Sequence, residues 1–213
     1  MARQPGSQVA ELDRGSPAPG LPGYQPLPRE FYARNSVDVA RDLLGHLLVH
    51  EMTAGRLVGR IVEVEAYRGP RDPASHAYHL TPRSRIMWSQ PGTAYVYFTY
   101  GNHYCLNVVC EPEGTAGAVL FRALQPVEGR DVMRRARGVD APHLLASGPG
   151  RLTQAMAVGL EHNGADLTRP PLYVAYGDPA GVRIKRSGRI GITAAAGRPW
   201  RFYADRSPFV SRR

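Results

Sequence analysis

Apolar and polar residues alternate along the central part of the chain, as they do in half-buried β-strands. Alternation is clearest over 57–67, LVGRIVEVEAY, and a second β-rich run over 93–110 is broken by Gly101-Asn102, which is a hairpin signal. The same kind of pattern predicts further strands over 46–52, 117–127, 172–176, 189–192 and 201–203. Apolar residues at helical spacing instead predict helices over 36–44, 128–137 and 148–159. Ser36 is the predicted N-cap of the first helix.

Strand-forming and helix-forming segments are separated along the chain rather than alternating one by one. This arrangement predicts an α+β fold with a curved, mostly antiparallel sheet, flanking helices and a protruding β-hairpin. With 213 residues, the chain is long enough for one domain with a hydrophobic core. Residues 1–28 contain six prolines and few large apolar side chains, so we expect a disordered arm there and a single domain over 29–213.

The charge of the chain is strongly positive, with 27 basic against 18 acidic residues and a formal net charge of +9. An excess of this size favours a polyanionic partner, either nucleic acid or an anionic membrane surface. No apolar run of about 18 residues and no N-terminal apolar segment exists, so we expect neither a membrane span nor a signal peptide. Cys105 and Cys110 would face opposite sides of one strand, so we interpret both as reduced thiols of a cytosolic protein.

Two carboxylates and a phenol are expected on one face of the strand over 57–67. Glu63, Glu65 and Tyr67 alternate with valine and alanine, so the apolar residues can fill the core while the polar ones line a cleft. The two glutamates would lie about 6–7 Å apart, which is compatible with an acid/base pair. A solvated strand face has the same pattern, and the pattern alone does not say which glutamate acts.

Tyrosine and arginine are concentrated around this strand and the predicted hairpin. Five of the eleven tyrosines lie here: Tyr67, Tyr95, Tyr97, Tyr100 and Tyr104. They form either a buried aromatic stripe or a platform on which unpaired bases stack. Arginines in the adjacent stretch TPRSR, residues 81–85, would serve the second purpose by contacting phosphates.

Other catalytic arrangements have weaker signals. His76 and His79 form an H-x-x-H with Asp72 and Glu65 nearby, which is a weak indication of a metal site. The motif G-x-S-x-G is absent, and the only lysine, Lys185, lies far along the chain from the glutamates. If a bond is hydrolysed here, the nucleophile is therefore an activated water.

Six segments, in this order, resemble the sequence blocks of a known family. They are GRIVEVEAYRGPRDPASHA, TPRSRIMW, PGTAYVYFTYGNHYCLNVV, AVLFRALQP, SGPGRLTQAM and RFYADRSPFVS. The similarity extends over residues 27–211 and is to the alkyladenine (3-methyladenine) DNA glycosylase family, here a bacterial member. It implies a repair enzyme that flips alkylated or deaminated purines, such as 3-methyladenine and hypoxanthine, out of the duplex. The enzyme would then hydrolyse the N-glycosidic bond and leave an abasic site.

The resemblance also implies the surroundings in which such an enzyme works. Its partner is double-stranded DNA containing damaged purines, and it acts as a monomer, without a membrane, in the cytoplasm at the nucleoid. A monofunctional glycosylase of this family needs neither a metal nor a cofactor.

Roles for individual residues follow from the same resemblance. Glu65 is the general base that deprotonates the attacking water, and Arg122 helps to hold that water. Tyr67 and His76 stack on one face of the extruded base and Tyr97 on the other, and His76 also hydrogen-bonds the edge of the base.

Selectivity and DNA binding are assigned in the same way. Asn107 lies on the pocket floor and discriminates against guanine. Tyr100 is the wedge that enters the minor groove, with Asn102 where the family pattern has an apolar residue. The residues expected to contact phosphates are Arg83, Arg85 and Arg151. If Tyr97 and Asn107 touch one base, we predict that they lie opposite each other across a hairpin whose three-residue loop is 101–103.

Two other interpretations stay open at this point. A protein of similar fold could recognise distorted DNA without cutting it, although Glu65 and Arg122 argue against that. A metal-dependent hydrolase would use His76, His79 and a carboxylate, and base release in excess EDTA would separate it from a metal-independent enzyme.

Overall fold

The computed structural model describes residues 23–99, 101 and 103–212, and an eight-stranded sheet forms its centre. The strands are β1 (Leu47–Met52), β2 (Gly55–Tyr67), β3 (Ala94–Thr99), β4 (His103–Val109), β5 (Ala118–Glu128), β6 (Leu172–Ala175), β7 (Ile184–Ser187) and β8 (Arg201–Ala204). The helices are α1 (Arg29–Tyr32), α2 (Ser36–Asp42), α3 (Arg130–Arg137), α4 (Pro142–Leu145) and α5 (Pro149–Ala155). Single 3₁₀ turns occur at Gly69–Arg71, His76–Tyr78, Arg85–Trp88 and Leu160–His162. Paired strands in this sheet run antiparallel, so the predicted α+β class is confirmed.

The long strand β2 organises the sheet, whose order is β3-β4-β5-β2-β1-β6. β2 pairs with β5 along one edge, and along the other edge with β1 through residues 55–60 and then with β8 through residues 63–65. The register between β2 and β5 shifts on both sides of Glu63. Such bulges increase the local twist, which allows β2 to leave β1 and pair with β8.

The helices cover one face of this sheet and leave the other face free for a site. α2 packs on β2 and β5, and α5 packs on β4 and β5. Val64 and Ala66 of β2 are fully buried in the main core together with Val39 of α2 and Leu152 of α5. Because neighbouring residues of a strand point to opposite faces, the glutamates of β2 lie on the side away from these helices.

The predicted helices are present with shifted boundaries. The first begins at Ser36, but its N-cap is Asn35, whose side chain accepts a hydrogen bond from the backbone N–H of Val37 at 2.9 Å. The second and third run over Arg130–Arg137 and Pro149–Ala155, and both are shorter than the apolar spacing suggested.

The predicted strand over 189–192 is wrong, because the strand in this region is β7 and ends at Ser187. The backbone N–H of Ile190 donates to a carboxylate oxygen of Glu65 at 2.7 Å, and the Arg189 guanidinium pairs with Asp72. Since these groups bond to side chains, residues 189–192 do not extend the sheet, and 190–192 line a site instead.

The predicted hairpin register is also wrong. Tyr97 pairs with Cys105, and Asn107 pairs with Tyr95. Thr99 and His103 are the last pair, so the three-residue loop is 100–102 and not 101–103. Tyr97 and Asn107 nevertheless lie on the same face of the sheet. Cys105 pairs with Tyr97 and shares its face, and Asn107 lies two residues beyond Cys105 on the same strand.

Several other features bear on the sequence predictions. Both cysteines are free and buried. No helix within the described residues is both long and apolar enough to cross a membrane. Leu27 is fully buried and its backbone N–H donates to Val174 at 2.8 Å, so the chain joins the sheet at least two residues before 29. The division into an arm over 1–28 and a domain over 29–213 stays a prediction.

Candidate active site

A cavity of about 180 Å³ opens on the face of the sheet that the helices leave free. Pockets for drug-sized ligands usually measure roughly 300–1,000 Å³, so this one suits a group of about the size of a single ring system. Five predicted site residues line it, namely Tyr67, His76, Tyr97, Asn107 and Arg122. The backbone segment 190–192 closes another side.

Strand pairing explains why residues distant in sequence meet here. Glu65 of β2 pairs with Leu120 of β5, Leu120 pairs with Asn107 of β4, and Asn107 pairs with Tyr95 of β3. Paired residues share a sheet face, so these four side chains form one row across four strands. Arg122 lies two residues beyond Leu120 and therefore projects to the same side.

Glu65 is fully buried directly behind the pocket wall, and its carboxylate is held by two hydrogen bonds and one ion pair. The Tyr67 hydroxyl donates to Oε2 at 2.9 Å and the Ile190 N–H donates to Oε1 at 2.7 Å. Nη1 of Arg122 lies 3.3 Å from Oε2. All three of these residues line the pocket, so every residue that holds the Glu65 carboxylate belongs to the pocket wall.

Glu63 is equally buried but is enclosed on all sides by protein donors. Its Oε1 accepts hydrogen bonds from Nε of Arg122 at 3.1 Å, Nε of Arg201 at 2.8 Å and Oγ of Ser211 at 2.8 Å. Its Oε2 accepts from the Ser211 backbone N–H at 2.5 Å. The structure thus distinguishes two carboxylates that the alternation along the strand left equivalent.

Arg122 connects these two glutamates and is itself only 8% exposed. Burial by itself would lower the pKa of its guanidinium, but the negative charges of Glu65 and Glu63 outweigh that effect and raise the pKa. Arg122 therefore stays positively charged at the boundary between the buried carboxylates and the pocket.

The aromatic side chains form the pocket walls. The rings of His76 and Tyr97 meet edge to face with centroids 4.6 Å apart, and those of Tyr95 and Tyr97 are 5.1 Å apart. Nδ1 of His76 lies 2.8 Å from the Tyr95 hydroxyl. His76 thus packs against Tyr97, the ring assigned by resemblance to the opposite wall. Burial and, secondly, Arg83 lower the pKa of His76, so its ring is neutral at neutral pH.

The Asn107 side chain is 4% exposed at the pocket floor, and its Nδ2 donates to the Tyr95 carbonyl at 3.0 Å. This bond fixes the amide against the neighbouring strand.

The model of the family described as methylpurine-DNA glycosylase matches residues 30–208 of this chain. The chain belongs to the methylpurine-DNA glycosylase family. Three similar proteins, each named as a candidate 3-methyladenine DNA glycosylase, come from Salinibacter ruber, Carboxydothermus hydrogenoformans and Methanoculleus marisnigri. They are 50%, 48% and 51% identical to it, and each alignment covers 88% of this chain and 97%, 99% and 99% of the relative.

Membership of the methylpurine-DNA glycosylase family defines the class of reaction. The protein is a DNA glycosylase, a hydrolase that acts on N-glycosidic bonds, and it takes part in base excision repair of DNA. Among the residues described, no three or more His, Cys, Asp or Glu side chains are grouped as metal ligands.

The arginines assigned to phosphates differ in their surroundings in this glycosylase. Arg83 is exposed, but its guanidinium stacks 4.8 Å from the Tyr97 ring centroid at the pocket rim. Arg85 is exposed on the following 3₁₀ turn. Arg151 on α5 is also exposed, and its Nη1 lies 3.4 Å from both the carbonyl and the hydroxyl of Ser147. Their contact with phosphates stays a prediction.

The predicted wedge, Tyr100, and its neighbour Asn102 lie outside the described residues. Thr99, the last residue of β3, lines the pocket, so β3 ends at the pocket rim.

Sequence reasoning missed several residues of the glycosylase site. The Arg189–Asp72 ion pair is completely buried, and the Arg189 guanidinium lies 4.6 Å from the Tyr67 ring centroid. The sequence marks Tyr95 only as one of five clustered tyrosines, and Ile190 contributes through its backbone N–H. In the sequence, Arg189 is a basic residue followed by a short apolar segment. This pattern indicates neither the ion pair with Asp72 nor the backbone contact of Ile190 with Glu65.

Proposed function

We propose that this glycosylase extrudes 3-methyladenine and hypoxanthine from double-stranded DNA and hydrolyses their N-glycosidic bonds with a water activated by Glu65. The observation that carries the proposal is the position of Glu65, whose carboxylate is held by three residues that all line a base-sized aromatic pocket. Enzymes that act on a base must take it out of the stack, and the pocket offers aromatic surface in exchange for the lost stacking.

In the proposed reaction, Glu65 accepts a proton from the water as the water oxygen bonds to C1′ of the sugar. The C1′–N bond breaks and the base leaves with the bonding electrons, so charge and atoms balance. The ionised Glu65 also stabilises positive charge that develops on the sugar. Arg122 donates to the water oxygen, which leaves the water protons free to transfer to Glu65.

Two kinds of leaving group place different demands on the pocket. A cationic alkylated purine leaves as a neutral molecule and gains cation–π energy from Tyr67 and Tyr97. Neutral hypoxanthine needs hydrogen bonding or protonation at its edge to leave. We assign this task to His76, which packs at the edge of Tyr97 and not flat against it.

We assign the tautomer of His76 from its neighbours. Arg83 is always positively charged, and its charge acts to lower the pKa of the nearby Tyr95 hydroxyl. Burial raises the pKa of Tyr95 against the effect of Arg83, so the hydroxyl keeps its proton and can donate it to Nδ1 of His76. A neutral His76 would then carry its own proton on Nε2 and offer it to the base.

The test is a labelled duplex with a single hypoxanthine, incubated with the enzyme and heated in alkali, which cleaves the strand where a base is lost. Strand cleavage that continues in excess EDTA is the expected result. No base loss from a hypoxanthine duplex and from an alkylated duplex would contradict the proposal, and loss only without EDTA would support a metal-dependent hydrolase.

Replacement of Tyr95 by Phe tests the role of the His76 tautomer. Without the hydroxyl, Nδ1 loses its partner, and we expect hypoxanthine release to slow about tenfold, the kinetic equivalent of roughly 1.4 kcal/mol for a lost buried hydrogen bond. Release of 3-methyladenine, a better leaving group, should slow less. Tyr104→Phe, which makes the same change on β4 outside the pocket, is the control. Equal slowing for both bases would argue against a role at the base edge.

Replacement of Tyr100 by Ala tests the assignment of the wedge, which rests on the resemblance alone. Extrusion costs a few kcal/mol that an inserted ring helps to offset, so binding to a lesion duplex should weaken. Binding to an unmodified duplex depends mainly on phosphates and should keep its affinity and its salt slope. Fluorescence anisotropy with both duplexes measures the difference, and equal losses on both would mean that Tyr100 is structural.

A further inference from the structure

Four buried charged side chains form one connected group that reaches from the pocket wall at Arg122 into the protein behind it. Glu63, Glu65, Arg122 and Arg201 are each 8% exposed or less, and their formal charges sum to zero. Nε of Arg122 contacts Glu63 at 3.1 Å while its Nη1 contacts Glu65 at 3.3 Å. Removing one member of such a buried group leaves a charge uncompensated, so the four depend on one another.

The guanidinium of Arg122 contacts both glutamates, so the position of one affects the position of the other. It is planar and rigid, so a bond that fixes Nε also fixes the direction in which Nη1 points. Glu63 fixes Nε, and Nη1 is the group that faces Glu65. Arg201 contacts the same oxygen of Glu63 at 2.8 Å and keeps that carboxylate in place.

The end of the described chain completes this arrangement. Ser211 donates to Glu63 from both its backbone N–H at 2.5 Å and its hydroxyl at 2.8 Å. The next residue, Arg212, accepts a hydrogen bond from Arg201 through its carbonyl. A segment that lines no part of the pocket therefore supplies two of the four hydrogen bonds that hold Glu63.

We propose that Glu63 is a positioning residue of the reaction, which orients Arg122 toward Glu65 and the attacking water, and that Ser211 completes this support. The proposal rests on the function proposed above, because Glu65 must be the base and Arg122 must hold the water. Misplacement of a reacting group by about 1 Å can cost roughly 10²-fold in rate, so a residue outside the pocket can control turnover.

The experiment compares single-turnover release of hypoxanthine by the wild type, Glu63→Gln and Ser211→Ala, with lesion-duplex affinity measured in parallel. For Glu63→Gln we expect the rate to fall about 10- to 100-fold with affinity unchanged within about twofold. For Ser211→Ala, which removes one of the bonds to Glu63, we expect a smaller fall of about three- to tenfold.

A matched control separates positioning from loss of stability. Glu111 is also buried and accepts hydrogen bonds from the backbone N–H and the hydroxyl of one serine, Ser36, at 2.9 Å each, but it lies outside the pocket. Glu111→Gln should destabilise the fold in urea to a similar degree and keep its rate. A rate loss in Glu111→Gln equal to that in Glu63→Gln, at equal stability, would overturn the proposal.

The comparison of rate with affinity is a readout that a purely structural role would not move. Loss of stability lowers the amount of folded enzyme and so reduces turnover and binding together, whereas misplacement of Arg122 lowers the rate of the enzyme that has already bound its lesion. If rate and affinity fall to the same extent in Glu63→Gln, the positioning role is refuted.

Failure of the inference can be told apart from failure of the proposed function. If the wild type releases hypoxanthine and Glu65→Gln does not, but Glu63→Gln and Ser211→Ala both keep the wild-type rate, only the positioning role is refuted. If Glu65→Gln keeps the wild-type rate, the proposed function fails first. Should Glu63→Gln not fold, the rate of Ser211→Ala decides the question.

Discussion

Glu65→Gln is expected to lower the rate of base release by at least about 10²-fold, the usual scale for loss of a general base. Glutamine keeps the shape of the side chain and an oxygen that can accept from Tyr67 or from the Ile190 N–H. It cannot take a proton from water, so the chemical step is affected while binding of the lesion duplex persists. Single-turnover release of hypoxanthine, together with duplex affinity, measures the two effects separately.

Comparison with Glu63→Gln makes this test decisive. Both glutamates are buried and both contact Arg122, so both substitutions disturb the same group of charges. Both variants should keep lesion binding, but Glu65→Gln should lose more of the rate because it removes the group that accepts the proton. If Glu63→Gln abolishes turnover and Glu65→Gln does not, the assignment of the base is wrong.

The sequence predicted one face of this site well because a single strand carries it. Alternation along β2 put Glu63, Glu65 and Tyr67 on one side, and the structure has all three there, opposite the buried Val64 and Ala66. The period of a strand is a local property, so it can be read without knowledge of the rest of the fold. The separation of strand and helix segments along the chain predicted the fold class for a similar reason, because each segment is recognised from its own local pattern.

Which glutamate is held by the residues of the pocket wall depends on partners far away in the sequence. Arg201 and Ser211, which enclose Glu63, lie 138 and 148 residues further along the chain. The Ile190 N–H that holds Glu65 lies 125 residues away, in a segment predicted to be a strand. Contacts of this kind arise only when β8 pairs with β2 and brings the C-terminal segment across, which no local pattern reports.

The predicted hairpin register required Tyr97 and Asn107 to pair directly, which is more than their function demands. Contact of Tyr97 and Asn107 with one base requires only that both lie on the same face, not that they pair. A three-residue loop over 100–102 and one over 101–103 both satisfy that condition, because they shift the pairing by two positions. The sequence offered turn-forming residues for either loop, so it could not choose between them.

Asn107→Ser is expected to make normal guanine a substrate, most readily in a G·T mispair. Guanine differs from hypoxanthine only by the amino group at C2, so the edge that His76 would contact cannot fully separate them. We assign this task to Asn107, whose amide is tied to the Tyr95 carbonyl at 3.0 Å and so cannot swing away to make room. Bulk and a misplaced donor against the guanine amine would exclude that base by repulsion.

Serine removes the amide and leaves a small hydroxyl, so guanine release should rise at least about tenfold, the scale of one small group in a fitted pocket. Hypoxanthine release should persist at a reduced rate, and the alkali-cleaved duplex measures both. Asn163→Ser is the matched control, because the Asn163 side chain also bonds to β3, accepting from the Val96 N–H at 2.9 Å, outside the pocket. Guanine release by both variants would indicate a loosened β3. If Asn107→Ser folds, still releases hypoxanthine and leaves guanine untouched, Asn107 does not exclude guanine.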